Sequence, residues 1–130
     1  MIGDVLDHVS IQCRDPEISK AFYEMVLAPI GGRAIMTFGP VTGFGKDSPD
    51  FWIGPIGDAG GAHSDIHLAF TASSREEVDE FFRVAVAAGA EVLHAPREWP
   101  EYHATYYGAF VRDPDGNNVE AVCHGFVRAG

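Results

Sequence analysis

Two stretches of this chain repeat one another about sixty positions apart, and that repeat restricts the fold more than any other feature. Ile18, Ala21, Phe22, Met25 and Val26 recur at i, i+3, i+4, i+7 and i+8, one apolar stripe on a helix. Asp15 is placed to cap that helix, Pro16 suits its first turn, and Ala28-Pro29 ends it, because a residue before proline leaves the helical region. Val78, Phe81, Phe82, Ala85 and Val86 repeat the stripe. Ser74-Arg75-Glu76-Glu77 reads as a capping box, and Gly89 as a stop.

Each helix follows a strand. In LDHVSIQC, alternation puts His8, Ser10 and Gln12 on one face and Val9, Ile11 and Cys13 on the other. In SDIHLAF, His67 and Ala69 share a face opposite Ile66, Leu68 and Phe70. The apolar faces suit the helices, so both histidines point away from them. Three more strands are expected after each helix: Arg33–Phe38, Val41–Lys46 and Asp50–Pro55, then Ala90–Ala95, Thr105–Arg112 and Asn118–His124. Asp113-Pro114-Asp115-Gly116-Asn117 is a strong hairpin turn between the last two. The expected class is α+β, with two βαβββ modules (about 4–57 and 62–125) forming a cupped mixed sheet within a single domain, residues 1–130. The Gly-rich stretch 57–61 joins them and is too short for an independent-domain linker.

Composition narrows the partners. The chain is 46% hydrophobic and 22% charged, which suits one packed core rather than disorder. Its formal net charge of −10 leaves no basic stripe for nucleic acid and disfavours an anionic membrane surface. The first residues, MIGDVLDHV, lack a basic leader and a long apolar run, and no window approaches the roughly 20 apolar residues of a spanning helix. A cytoplasmic location is expected. Cys13 and Cys123 lie outside any CxxC spacing and are expected as buried thiols.

The last strand carries a carboxylate, Glu120, flanked by apolar residues, and burying it is costly without a partner. A lone strand histidine more often fills a core or surface than ligates a metal. Here, however, His8 and His67 occupy equivalent places in a repeat, and Glu120 ends its second unit. Two imidazoles and one carboxylate with open positions match the ligand set of non-haem Fe(II) sites, and Zn, Mn, Ni or Co suit it too. The expected cofactor is one divalent metal ion on His8, His67 and Glu120.

The segments LDHVSIQCRD…AFYEMVLAPIG, IHLAF and YYGAFVRDPDGNNVEAV resemble the vicinal-oxygen-chelate superfamily of glyoxalases, bleomycin-resistance proteins and extradiol dioxygenases. The resemblance covers nearly the whole chain, and DPDGNNVE is its most specific part. It implies paired βαβββ modules and metal ligands at His8, His67 and Glu120. Many glyoxalase-I-like members add a carboxylate from the last strand of the first module, where this chain has about Trp52. The extradiol pattern places an active-site histidine at His103 and a tyrosine where Phe110 stands here, with Tyr106 or Tyr107 as nearby substitutes.

The resulting expectation is Lewis-acid chemistry on a small substrate with vicinal oxygens, by a lyase, isomerase or ring-cleaving oxygenase. Glu120 and His103 are the expected catalytic groups, His103 carrying a proton. Trp52, Tyr106 and Tyr107 are the expected substrate contacts, with Phe38, Phe44, Trp99 and Tyr102 as further candidate lining. His124 is expected at the rim, His63 and His94 in a loop and at a strand end, and Arg97 and Arg112 in solvent. The rival is a ligand-binding protein of the bleomycin-resistance type, without turnover. Pairing of the modules is open, within one chain or across a homodimer.

Overall fold

The computed structural model describes residues 6–56 and 66–125. Two compact units divide the chain, Met1–Ser64 and Asp65–Gly130. The first contains β1 (Val9–Cys13), α1 (Pro16–Leu27), β2 (Arg33–Phe38), β3 (Val41–Gly45) and β4 (Pro49–Pro55). The second contains β5 (His67–Thr71), α2 (Arg75–Ala87), β6 (Val92–Glu98), β7 (Tyr107–Arg112) and β8 (Asn118–Cys123). Each is therefore a βαβββ module. The sheet orders are β1-β4-β3-β2 and β5-β8-β7-β6. In both, the first strand runs parallel to the last and the other pairings are antiparallel.

In the first module, Asp15 Oδ1 accepts from the Glu17 and Ile18 amides at 3.1 and 3.4 Å, capping α1. A short 3-10 turn, Ala28–Ile30, follows and ends at Gly31, whose φ of 88° favours glycine. The buried face of α1 differs from the expected stripe by one position. It consists of Ser19, Phe22, Tyr23, Val26 and Leu27, whereas Ile18 and Met25 are 56% and 44% exposed. Phe22 and Val26 belong to both stripes, so the remaining choice falls to packing. Tyr23 decides it: its ring meets Phe51 of β4 at 4.9 Å and Phe22 at 5.1 Å, covering more apolar area than Ile18 offers.

In the second module, Ser74 Oγ accepts from the Glu77 amide at 3.2 Å, while Glu77 Oε1 accepts from the Ser73 amide at 2.8 Å. The capping box thus reaches one residue further back than its usual form. Val78, Phe81 and Ala85 are the buried face of α2, Phe82 is half-buried and Val86 exposed. Edge strand β6 runs to Glu98, beyond the expected Ala95, because Pro96 falls where the register with β7 shifts and its missing N–H breaks no ladder bond.

The β7–β8 turn explains the most specific sequence motif. Asp113 Oδ1 accepts from the Asp115 and Asn117 amides, both at 2.9 Å, and its Oδ2 accepts from Asn117 Nδ2 at 2.8 Å. Gly116 turns the chain at φ 89°. The motif is thus a hairpin device that sets the register of β8, and with it the place of Glu120. Phe22→Ala should cost about 3–5 kcal/mol, as for other buried phenylalanines, while Ile18→Ala should cost less than about 1 kcal/mol; urea unfolding of both variants tests which α1 face is buried.

Candidate functional site

Glu120 lies in the middle of β8, and its side chain is 1% exposed. It pairs with Ala69 on one side and Phe110 on the other. Tyr107, two-residue steps from Ala109 and Val111, reaches α2 through its hydroxyl, so this set and its partners Cys123, Ala121 and Val119 face the helix. Glu120, Phe110, Asn118 and His67 therefore share the opposite face.

A carboxylate so buried must find donors, and here it has two. His67 Nε2 lies 2.8 Å from Oε1, and the Tyr106 hydroxyl donates to Oε2. Gly108 makes that second bond possible: a Cβ there would stand 3.1 Å from Oε2 and 3.3 Å from the Tyr106 ring. Burial, and then the bond to Glu120, push the Tyr106 phenol far above its ordinary value, so it remains a donor.

Aromatic rings wall the same face. Phe110 lies 5.8 Å from the His67 ring, 5.6 Å from His94 and 5.1 Å from Trp99. Trp99 donates its indole N–H to Gly108 O at 3.0 Å and stacks on Tyr102 at 5.7 Å. Arg97 lies over the Trp99 ring at 3.4 Å and bonds Glu101 at 3.2 Å; Arg112 bonds Gly116 O at 2.7 Å. His103 Nε2 meets His124 Nδ1 at 2.9 Å beside the Tyr106 ring.

The second module thus brings together His67, Glu120, Tyr106 and His103 from the expected set. Tyr107 does not join them. Its hydroxyl bonds Asp79 of α2 at 2.6 Å under the Arg75 guanidinium, so it braces helix to sheet. Burial, followed by the Asp79 bond, pushes its phenol up to about 12. His94 lies inside β6 rather than at a strand end, and His63 lies outside the described residues.

In the first module, Trp52 pairs with Ser10 as Glu120 pairs with Ala69, and His8 and His67 each precede those partners by two residues. Trp52 is therefore the repeat-equivalent of Glu120. Its indole lies over Gly43, where a Cβ would meet the ring at 2.8 Å, and stacks with Phe38 at 6.4 Å. Phe44 is fully buried against Tyr23 and Phe51, in the core beneath α1. His8 stands one residue ahead of β1, exposed, with Nδ1 2.7 Å from Asp7 Oδ1. Among the described residues, no three His, Cys, Asp or Glu side chains gather closely enough to hold a metal ion.

The family model of the glyoxalase/bleomycin resistance protein/dioxygenase superfamily matches residues 5–121. The chain belongs to that superfamily. An uncharacterized protein of Pseudomonas aeruginosa is 32% identical, over 92% of this chain and 88% of the relative. Among solved structures, a glyoxalase/bleomycin resistance protein from Albidiferax ferrireducens superposes with a TM-score of 0.81 at 26% identity, over 92% of this chain and 99% of the other. A family enzyme from Burkholderia phytofirmans gives 0.72 at 25% identity, over 90% and 96%. A lactoylglutathione lyase from Agrobacterium tumefaciens, 23% identical over 97% and 100%, shares the fold with a TM-score of 0.71. No helix among the described residues is long and apolar enough to cross a membrane.

Two features of the site escaped the sequence reading: the Tyr106–Glu120 bond and the His103–His124 pair. The hairpin turn contained a signal for the first. Once Asp113–Asn117 sets Phe110 opposite Glu120, Tyr106 falls opposite His124 and on the Glu120 face.

Tyr107 ties its raised ionisation to stability with a definite sign. Its folded form holds the proton above the usual phenol value, about 10, so the contribution is complete below that pH and is lost as pH rises towards 12. Unfolding free energy should therefore fall between about pH 10 and 12, and the fall should shrink in Tyr107→Phe; urea titrations across that range measure it.

Proposed function

We propose that this chain is a small-molecule-binding protein of the bleomycin-resistance type, with its ligand site on the Glu120 face of the second module. The observation that carries this reading is that Glu120 is satisfied from within, one oxygen by His67 and the other by Tyr106, beneath a wall of aromatic rings. Such a face offers flat apolar contact and few, fixed polar groups, as small-molecule sites do. Tyr106 is the contact proposed on that face; Trp52, proposed as a ligand contact on sequence grounds, holds the equivalent place on the first module. For Tyr107, the third contact the sequence suggests, the bond to Asp79 favours a bracing role instead.

The convergence of His67 and Glu120 favours a second reading, a metal-dependent lyase, isomerase or dioxygenase. An imidazole nitrogen and a carboxylate oxygen facing each other at 2.8 Å fit two ligands of one divalent ion, Fe, Zn, Mn, Ni or Co. The third ligand of the expected set, His8, belongs to the first module. Bound there, the ion would supply Lewis-acid polarisation of vicinal substrate oxygens. Around it, Tyr106 would hold Oε2 of Glu120, and His103 would carry a proton. The indole of Trp52 offers no lone pair for a fourth ligand.

Under either reading the two modules act as a single domain, residues 1–130, within one chain or across a homodimer. Cys13 and Cys123, both buried thiols, suit a cytoplasmic location.

Elemental analysis of the purified protein, with melting measured with and without chelator, separates the two readings. Binding without a metal predicts well under one equivalent and an unmoved transition. One equivalent, lost in a folded His67→Ala variant, would replace it with the enzymatic reading. Glu120→Gln should lower stability by about 1–3 kcal/mol through the weakened charge-assisted bonds, a loss that thermal or urea unfolding reads.

A further inference from the structure

The segment between β6 and β7 delivers Tyr106 to Glu120, and its hydrogen bonds have a fixed direction. The Thr105 backbone N–H, which cannot rotate, donates to His103 Nδ1 at 3.2 Å. That nitrogen therefore carries no proton, and the neutral ring holds its proton on Nε2. Nε2 faces His124 Nδ1 at 2.9 Å, so His124 accepts there and holds its own proton on Nε2. The Thr105 hydroxyl donates to His124 O, and its oxygen lies 3.4 Å from His103 Nδ1. The two imidazole planes meet at 23° with centroids 5.2 Å apart, an edge-to-edge pair joined through the Nε2–Nδ1 bond, and Tyr106 stands edge-on to both, at 5.3 and 5.4 Å. Its own N–H donates to His103 O at 3.3 Å.

We propose that His103 and His124 are positioning residues that hold Tyr106 on Glu120 only while both imidazoles are neutral. That Glu120 is the working group of the site rests on the proposed function; the brace rests on the geometry of this module alone. An added proton must go to His103 Nδ1, facing the Thr105 N–H, or to His124 Nδ1, facing the His103 N–H. On His124 Nδ1 the proton sets two donors against each other; on His103 Nδ1 it opposes the Thr105 N–H at 3.2 Å and finds only the longer 3.4 Å contact to the Thr105 hydroxyl oxygen, so either placement weakens the chain of bonds. Among the described residues, the ionisable groups near the pair include Tyr106 itself, Tyr102 against its ring, Glu101 paired with Arg97, Glu120 beyond the Tyr106 hydroxyl, and His94 against Trp99.

Nitrogen-15 spectra of the imidazoles in the wild-type protein, together with hydrogen exchange of the Trp99 indole and Tyr106 amide, test the proposal. At neutral pH both His103 and His124 should be protonated at Nε2. As pH is lowered from about 7.5 to about 5.5, protection at both sites should drop by on the order of tenfold after correction for intrinsic rates. In His124→Asn, whose side-chain oxygen takes the place of Nδ1 but cannot be protonated, protection at neutral pH should persist and the acid-dependent drop should vanish. A proton on His103 Nδ1 would overturn the proposal without any variant. So would an unchanged drop in His124→Asn, which would assign the acid response to His94, His67 or Glu120.

Discussion

A carboxylate at the centre of a β-sheet is the constraint on which the second module is arranged. Glu120 is buried more completely than most charged groups tolerate, and an unpartnered charge there would cost several kcal/mol. Its neighbours follow from that need. His67 enters β5 in the register that brings Nε2 to one oxygen, and Tyr106 stands one residue ahead of β7, where its hydroxyl reaches the other. Gly108 is small because a side chain there would crowd both. The Asp113 turn fixes the register that makes these meetings possible.

The repeat is symmetric in backbone and asymmetric in chemistry. Both modules share one strand order and place a helix on one sheet face. At the position of Glu120, however, the first module has Trp52, an indole lying flat over Gly43. Duplication reproduces the frame because the apolar pattern is common to both halves. It leaves the opposite faces to diverge, since those side chains do not hold the sheet to its helix. Among the described residues, the hydrogen-bond partners of Glu120, His67 and Tyr106, and the pair His103 and His124 belong to the second module.

Much of this was legible in the chain itself. The helices begin at Asp15 and Ser74 because short polar side chains there satisfy amides that the helix cannot. The partnership of His67 with Glu120 could be read from the repeat and strand alternation. The face of α1 was less legible: stripes through Ile18 and through Ser19 share Phe22 and Val26, and only the fit of Tyr23 against Phe51 separates them. Tyr106 and Tyr107 are adjacent and chemically alike, yet one meets Glu120 and the other Asp79, because neighbouring strand residues point to opposite faces.

Local pattern in the chain settles the module: two helices, a strand before each and three after it, and the duplication that relates the halves. These depend on local periodicity and capping, which act over a few residues. Which donors reach Glu120, which tyrosine faces it, and the meeting of His103 with His124 across 21 positions of chain are matters of packing. Such contacts depend on strand register and side-chain reach to within an ångström, and local periodicity does not carry that information.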